Sequence, residues 1–274
     1  MKINQNYPQY IFSGSINLIV GGLDSDENPY NDTQIVNLSN RNSTCNNIPD
    51  YPIVNVGATG AIVSGHPIIC GGWSGGSNFH SECYHHSKAT NSWTFLTNMS
   101  TKRAYSASVP VNGKLLVLGG WDGDNRLATS EYVSPDGDAS QPGPDLPGPR
   151  SSHCAVKLSN GQVVLLGGLP DKKSVIIFHP DTETFDQSLP TLTFDSYRAG
   201  CAAFKSPLHD NREVVLAVGG SRQATAEVLD YTQPNPAWTE SNYSFIYCFI
   251  YRTRAIITRS RFETALVYKP RILG

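Results

Sequence analysis

Eight residues have the side-chain chemistry expected of a surface that recognises another protein. Arginine offers several N–H donors on a planar cation and tryptophan offers a large apolar face, so both types are common anchors of protein interfaces. Arg103, Arg150 and Arg198 each follow a loop that contains proline or methionine. The predicted partner-binding residues are Trp73, Arg103, Trp121, Asp122, Arg126, Arg150, Arg198 and Arg222.

One stretch, His80 to His86, has residue types that could bind a metal ion. Successive side chains of a strand point to opposite faces, so His80, Glu82, Tyr84 and His86 share one face. Zinc sites usually take their ligands from turns or from paired elements rather than from a single strand. The stretch is therefore predicted to be a polar edge strand, with no metal and no cofactor bound.

Six cysteines leave two interpretations open, disulfide formation or burial as small apolar side chains. Cys70 ends one predicted strand and Cys83 lies on the next, so a disulfide between them is feasible. Cys154 and Cys201 occupy nearly equivalent positions in successive repeats. None of the six forms a Cys-x-x-Cys motif.

A repeat of about 50 residues determines which elements must position these side chains. Gly-Gly doublets recur at steps of 50, 48, 48 and 52 residues, and each closes an apolar run such as LLVLGG. This period is typical of small sheets arranged around an axis, because one such sheet cannot bury its apolar faces alone. The doublets are predicted to be structural: Gly21-Gly22, Gly71-Gly72, Gly119-Gly120, Gly167-Gly168 and Gly219-Gly220.

Each doublet lies in a unit that reads as four short antiparallel strands. Asn112-Gly113 and Asn160-Gly161 are type I′ turn signals, and each precedes the run that ends in a doublet. A third strand follows the doublet, and a fourth begins near a tryptophan or phenylalanine. Four such strands are the content of one β-propeller blade. The aromatic residues predicted to be structural are Tyr84, Trp93, Tyr132 and Trp238.

The unit resembles the kelch repeat, which has a Gly-Gly doublet, a Glu-x-Tyr-like third strand and a tryptophan that opens the fourth strand. The approach Gly148-Pro149-Arg150 is also similar, and the spellings CGGW, SECY and GPDLPGPRSSHC look like those of secreted kelch proteins of invertebrates. The resemblance implies an all-β, kelch-type β-propeller with five recognisable four-stranded blades, complete as such or part of an incomplete six-bladed ring.

The resemblance covers about residues 10–240, which we predict to form one propeller domain. Residues 241–274 lose the repeat and form a divergent tail. The tail supplies a degenerate closing strand, or it is a splice or gene-model variant that replaces the last blade. The predicted blades lie near residues 10–52, 53–101, 102–148, 149–195 and 196–240.

Charge and hydropathy argue against nucleic-acid binding and against a membrane-spanning segment. Residues 1–240 carry 15 basic and 22 acidic side chains, whereas the tail carries six basic and one acidic. A mildly acidic propeller is a poor candidate for nucleic acid, which needs a basic stripe. The longest apolar run, Phe245 to Tyr251, is far shorter than the roughly 18 residues of a membrane span. We predict no nucleic-acid partner and no membrane span.

The sequence does not decide between an extracellular and a cytoplasmic location. No apolar signal core follows Lys2, yet the spellings above and the sequons favour an extracellular location, with a cytoplasmic one as the alternative. Cysteines of an extracellular protein would pair, whereas those of a cytoplasmic one would stay reduced. The five Asn-x-Ser/Thr sequons begin at Asn31, Asn37, Asn42, Asn98 and Asn242.

Hairpin geometry gathers the predicted binding residues at one end of the propeller. The first strand of an antiparallel hairpin starts beside the end of the second, so Arg103, Arg150 and Arg198 are expected near the loops after the doublets. In similar kelch propellers, arginines at this position bind acidic groups of a partner peptide. The main hypothesis is therefore a non-catalytic propeller that binds a protein or peptide, acidic by this resemblance. The alternative is that these arginines pair with neighbouring blades.

Two further functions follow from the resemblance. Kelch chains serve as substrate-recognition modules of ubiquitin ligase adaptors, but no dimerisation domain or helical linker precedes residue 10, so this role requires the chain to be a fragment. Copper radical oxidases similar to galactose oxidase also use a kelch propeller. Their Tyr/Cys cofactor and paired histidines have no recognisable counterpart motif here, so we expect no enzyme.

Overall fold

The chain is built almost entirely of β-strands. Within the described residues, nineteen strands form five antiparallel sheets, and a 3-10 turn at Pro207–His209 is the only helix. The all-β prediction is confirmed. The computed structural model describes residues 9–13, 16–24, 26–37, 48–220 and 225–241.

The first two sheets pair their strands in chain order. Sheet 1 has three described strands, and the fourth strand expected for it falls on residues 38–47, outside the described residues. Sheet 1 contains β1 (Gln9–Ser13), β2 (Ile16–Leu23) and β3 (Pro29–Asn37). Sheet 2 contains β4 (Thr59–Val63), β5 (His66–Trp73), β6 (Phe79–Ser87) and β7 (Ser92–Asn98).

The last three described sheets have four strands each, again paired in chain order. Sheet 3 contains β8 (Ala107–Val111), β9 (Lys114–Leu118), β10 (Ser130–Val133) and β11 (Gln141–Pro142). Sheet 4 contains β12 (Cys154–Lys157), β13 (Val163–Leu166), β14 (Val175–His179) and β15 (Thr184–Asp186). Sheet 5 contains β16 (Gly200–Ser206), β17 (Arg212–Val218), β18 (Ala226–Leu229) and β19 (Trp238–Glu240).

The first strands of successive sheets are neighbours in space. β1 lies beside β4, β4 beside β8, β8 beside β12, and β12 beside β16. The fourth strands are therefore at the periphery. Inner first strands and outer fourth strands are the arrangement of propeller blades around a channel. The predicted tail from residue 242 onward lies outside the described residues.

Apolar side chains fill the spaces between adjacent sheets, as β9 illustrates. Leu116 and Leu118 pack toward sheet 4, whereas Leu115 and Val117 pack toward sheet 2, and all four are fully buried. Because both faces of the strand are covered, its sequence is a continuous apolar run rather than an alternating one. Burial of each such side chain contributes about 1.5–3 kcal/mol.

The doublets allow the backbones of neighbouring sheets to approach closely. Gly119 has a φ of +60°, and a Cβ there would lie 2.6 Å from the carbonyl oxygen of Arg150 in the next sheet. The N–H of Gly120 donates to that same oxygen at 2.8 Å. The same bond recurs from Gly22 to Asn55, from Gly72 to Arg103 and from Gly168 to Ser196.

Two tryptophans in the fourth strands tie each blade to the connection that precedes it. The indole Nε1 of Trp93 donates to the carbonyl of Pro49 at 3.0 Å, and that of Trp238 donates to the carbonyl of Pro190 at 2.8 Å. The partly buried ring of Trp93 and the buried ring of Trp238 therefore both have a hydrogen-bond partner for the indole nitrogen.

The two tyrosines predicted to be structural also contact other rings or other sheets. The hydroxyl of Tyr132 in sheet 3 donates to Oε1 of Glu183 in sheet 4 at 2.9 Å. Tyr84 packs edge-on against Tyr51, with ring centroids 5.5 Å apart. The first contact joins two adjacent sheets, and the second belongs to an aromatic group on sheet 2.

Two disulfides are present among the described residues. Cys70 and Cys83 lie directly opposite each other on β5 and β6, with Cα atoms 4.0 Å apart, and neither is exposed. Cys154 and Cys201 join the first strands of sheets 4 and 5, with Cα atoms 6.0 Å apart. The second disulfide therefore links two blades, which the sequence did not predict. The other two cysteines lie outside the described residues.

Candidate partner-binding site

Four residues with left-handed backbone geometry lie at one end of the first strands. Gly57, Tyr105, Ser152 and Arg198 have φ values of 65°, 57°, 56° and 58°. Tyr105 N–H donates to Gly57 at 2.7 Å, Ser152 N–H to Tyr105 at 2.7 Å, and Arg198 N–H to Ser152 at 2.8 Å. We call these four residues the rim belt. Its bonds connect sheets 2 to 5 and fix where the side chains of Tyr105 and Arg198 begin.

Arg103 lies two residues before the rim belt, and the residue as a whole is only 1% exposed. Its Nη1 donates to the carbonyls of Gly119 at 2.8 Å and Thr129 at 3.0 Å, and its Nη2 donates to Oε1 of Glu131 at 2.6 Å. Its own carbonyl accepts the N–H of Gly72 from sheet 2. The residue therefore joins sheets 2 and 3.

Glu131 remains ionised in this buried position because several donors surround it. Burial by itself raises the pKa of the carboxyl group, but the N–H of Ser100, the charge of Arg103 and the hydroxyl of Ser140 outweigh it, so the pKa is lowered. Its Oε1 also accepts the N–H of Thr101 at 3.1 Å. The carboxylate and both terminal nitrogens of Arg103 are thus hydrogen-bonded, whereas Nε of Arg103 has no partner among the described residues.

Arg150 occupies the same position in sheet 4 and is 7% exposed. Its Nη1 donates to the carbonyl of Gly167 at 3.0 Å and to Oγ of Ser174 at 2.8 Å. In sheet 2 the corresponding residue is Asn55, whose Nδ2 donates to the carbonyl of Gly71 at 2.8 Å. At this position, then, three residues bond to the first glycine of their own doublet.

His153 lies beside Arg150 and is also buried. Burial and the charge of Arg150 lower its pKa to about 3, so the imidazole is neutral at physiological pH. Among the described residues, neither ring nitrogen has a hydrogen-bond partner. The sequence showed this histidine only as one of several scattered ones.

The three arginines do not share one position, contrary to the sequence expectation. Gly168 donates to the carbonyl of Ser196, just as Gly120 donates to that of Arg150. Ser196 is therefore the equivalent of Arg103 and Arg150, and Arg198 lies two residues further, in the rim belt. Arg198 is exposed, whereas the other two arginines are enclosed between sheets.

Exposed cations lie over aromatic rings at the same end of the sheets. The guanidinium of Arg126 is 5.5 Å from the ring centre of Trp121. That of Arg198 is 5.7 Å from Tyr105 and 5.9 Å from Tyr197. We call this region the mouth surface, made of the rim belt, Tyr197 and the loops 73–78, 121–129 and 169–174.

Two lysines extend this pattern. Lys172 Nζ is 5.5 Å from the ring centre of Tyr197 and 3.0 Å from Oδ2 of Asp195, and Lys102 Nζ is 6.0 Å from Phe79. Sequence reasoning did not select the aromatic members Tyr105, Tyr197 and Phe79. A signal was available for two of them, since Tyr105 lies two residues after Arg103 and Tyr197 directly precedes Arg198.

Trp73 and Trp121 occupy equivalent places directly after their doublets. The backbone of Trp73 pairs with Val56, and that of Trp121 pairs with Ala104. Trp73 Nε1 donates to the carbonyl of Gly76 at 2.8 Å, which fixes the indole against its own loop. Both rings are partly exposed at the mouth surface.

Asp122 is the acidic member of the predicted set. Its Oδ1 accepts the N–H groups of Asp124 at 2.8 Å and Asn125 at 2.7 Å. Slight desolvation raises its pKa, but these donors and the charge of Lys102 outweigh it, so the pKa is lowered and the carboxylate is ionised. The last residue of the predicted set, Arg222, lies outside the described residues.

The stretch considered for metal binding lies in β6, between β5 and β7, so its prediction as an edge strand was wrong. Its side chains make ordinary polar contacts. His80 Nε2 lies 2.9 Å from Oγ of Ser74, and its Nδ1 lies 3.6 Å from Oε2 of Glu82. No three His, Cys, Asp or Glu side chains in the described ranges are grouped as metal ligands would be. In the same ranges no helix is long and apolar enough to cross a bilayer.

Comparison with known proteins agrees with this architecture. Residues 102–147, which include sheet 3, match the kelch motif. A stretch of 159 residues, 57% of the chain, is 28% identical to the spermatocyte protein spe-26 of Caenorhabditis elegans and spans 26% of that protein. The resemblance to kelch-repeat proteins is confirmed. The chain contains a match to the kelch motif in its middle sheet, and its five antiparallel sheets are consistent with the blades of a kelch propeller.

Proposed function

We propose that this chain is a non-catalytic binding domain, and that its partner is a protein or peptide that brings acidic side chains to the mouth surface. The observation that carries the proposal is the pairing of exposed cations with partly buried aromatic rings there. Arg126 over Trp121 and Arg198 over Tyr105 and Tyr197 are the main examples.

Such pairs suit recognition of a carboxylate. A guanidinium stacked on a ring has fewer accessible rotamers, so less conformational entropy is lost when its N–H groups bind an acid. The rings beside it add apolar contact area for the partner's neighbouring side chains. The rim belt holds Tyr105 and Arg198 on backbone that is hydrogen-bonded to adjacent sheets, which makes the surface rigid.

Arg103 and Arg150 are left out of the proposed contact set because both are buried between sheets. Trp73, Trp121, Asp122, Arg126 and Arg198 are kept. The ionised Asp122 lies beside the cations and would repel a carboxylate, so we assign it to orienting the partner rather than to attracting it. The matched stretch covers only 26% of spe-26, so no role of that whole protein is carried over.

The test uses two variants matched in charge. Arg126→Ala/Arg198→Ala removes two exposed cations from the mouth surface, and Lys114→Ala/Lys205→Ala removes two exposed cations from the opposite end of the sheets. Binding of the full chain is measured against a library of acidic peptides and their Asn/Gln counterparts. We expect the first variant to bind acidic peptides about tenfold or more weakly and the second to bind as wild type does, since one charged hydrogen bond contributes roughly 1.5–3 kcal/mol.

Two outcomes would refute the proposal. Equal losses in both variants would indicate non-specific attraction by net charge. Equal binding of acidic peptides and their amide counterparts would show that carboxylates are not recognised. Rising salt concentration should weaken wild-type binding, because the contacts are exposed to solvent.

A further inference from the structure

The outer edge of sheet 2 is longer and less charged than the outer edges of sheets 3, 4 and 5. The fourth strands β11, β15 and β19 contain only two or three residues and include Pro142, Asp186 and Glu240 respectively. β7 has seven residues, SWTFLTN, with no charge and no proline. Proteins usually shorten or charge an exposed edge, because unpaired N–H and C=O groups invite pairing with another chain.

β7 also presents apolar surface to solvent. Phe95 is 51% exposed, one of three large apolar side chains in the described residues that are exposed. A long, uncharged edge with an exposed aromatic ring is a site for edge-to-edge association. We therefore expect a group other than the described residues to cover the outer edge of β7.

An N-glycosylation sequon lies at the end of this same strand. Asn98-Met99-Ser100 is exposed at Asn98 and at Ser100, and no described residue engages the side-chain amide of Asn98. Asn31, the other sequon asparagine whose side chain is described, is different. Its Nδ2 donates to the carbonyl of the fully buried Tyr51 at 2.8 Å. A glycan on Asn31 would replace one hydrogen of an amide nitrogen that is held against this buried residue, whereas the amide of Asn98 is open to solvent.

The disulfides provide an independent indication of compartment. Cys70–Cys83 lies inside sheet 2, and Cys154–Cys201 joins two blades. Structural disulfides form and persist in oxidising compartments, which in eukaryotic cells include the endoplasmic reticulum, where N-glycans are attached.

We propose that Asn98 is an N-glycan acceptor and that the glycan shields the outer edge of β7. In the transfer, Nδ2 of Asn98 forms a bond to C1 of the first sugar of a lipid-diphosphate oligosaccharide. The C1–O bond to the diphosphate breaks with its electron pair, the lipid diphosphate leaves, and the amide proton passes to a base of the transferase. This proposal is independent of the binding function of the mouth surface.

Site occupancy is tested on the full chain expressed in insect cells behind a cleavable secretion leader. The protein is treated with an N-glycosidase in heavy-oxygen water, and peptides are mapped by mass spectrometry. The peptide Ala89–Lys102 contains Asn98 and no other sequon. We expect Asn98 to be converted to labelled Asp in most molecules, Asn31 to stay unlabelled, and Ser100→Ala to abolish the label at Asn98. An unlabelled Asn98 in disulfide-bonded protein would overturn the proposal.

The shielding role is tested by sedimentation of glycosylated and enzymatically deglycosylated protein. We expect the glycosylated form to stay monomeric and the deglycosylated form to associate as its concentration rises. Thr94→Lys places a charge on the exposed edge of β7 and should keep the deglycosylated form monomeric. A deglycosylated wild type that stays monomeric at all concentrations would show that the glycan does not protect this edge.

Discussion

Replacing Arg103 with alanine should destabilise the fold rather than impair partner binding alone. The side chains of Arg103 and Glu131 are 0% and 3% exposed, so their ion pair is almost completely removed from water. The substitution deletes the bond to Glu131 and the bonds to the carbonyls of Gly119 and Thr129. Glu131 keeps the N–H groups of Ser100 and Thr101 as donors, so we expect the free energy of unfolding to fall by about 3 kcal/mol.

Glu131→Ala should lower the free energy of unfolding more than Arg103→Ala, because Arg103 would keep only neutral acceptors and further donors would lose their partner as well. The guanidinium would stay buried without its counter-charge, and the N–H groups of Ser100 and Thr101 would lose their acceptors. We expect the free energy of unfolding of Glu131→Ala to fall by about 5 kcal/mol. The double variant should lose less than the sum of the two single ones, because the paired charges are removed together.

Thermal unfolding followed by circular dichroism measures these effects. For a protein of this size, 1 kcal/mol shifts Tm by roughly 2–4 °C, so Arg103→Ala should lower Tm by about 6–12 °C and Glu131→Ala by about 10–20 °C. Arg126→Ala, an exposed cation at the mouth surface, is the control and should change Tm by about 2 °C or less. A Tm for Arg103→Ala equal to that of the control would refute the assignment of Arg103 to inter-sheet packing.

Three further substitutions test other parts of the fold. Gly119→Val should lower the free energy of unfolding by about 2 kcal/mol or more in urea titrations, because Gly119 has a positive φ and a carbonyl close to it. Gly148 has open space around it, so the control Gly148→Val should leave the free energy of unfolding unchanged. The unfolded chain binds a proton at His153 near pH 6.5, whereas the folded chain binds it only near pH 3. The free energy of unfolding should therefore fall by up to about 5 kcal/mol as the pH drops from 6.5 to 3. His153→Asn should remove this contribution to the pH dependence of stability. Cys201→Ser removes a disulfide between residues 47 apart and should lower the free energy of unfolding by about 4 kcal/mol, and reducing this variant should cause no further loss at that site.

The repeat architecture could be predicted from the sequence because its glycines are physically irreplaceable. A doublet such as Gly119-Gly120 must combine positive φ with a close carbonyl, and only glycine meets both requirements, so the spacing survives while the other residues vary between repeats. The strand content then followed from the apolar runs beside each doublet.

The candidate site could be predicted only in part, because a binding arginine and a structural arginine have the same sequence signal. The difference is made by Glu131, which lies 28 residues after Arg103 and reaches it only through the register of sheet 3. The offset of Arg198 was missed because the stretch between β15 and β16 has no repeated pattern from which to count. The Cys154–Cys201 link was missed because pairing within a sheet says nothing about distances between sheets.

The bonds from each doublet to the next sheet have a consequence for synthesis on the ribosome. The donor always precedes its acceptor along the chain; Gly72, for example, lies 31 residues before Arg103. At roughly 5–20 residues per second the donor waits seconds for that acceptor, whereas its own hairpin closes within microseconds. The growing chain therefore always ends in a finished hairpin with an uncovered apolar face, and each new sheet covers the one made before it. Blades should consequently be locked in order from the N-terminus, with the newest blade the one exposed to chaperones.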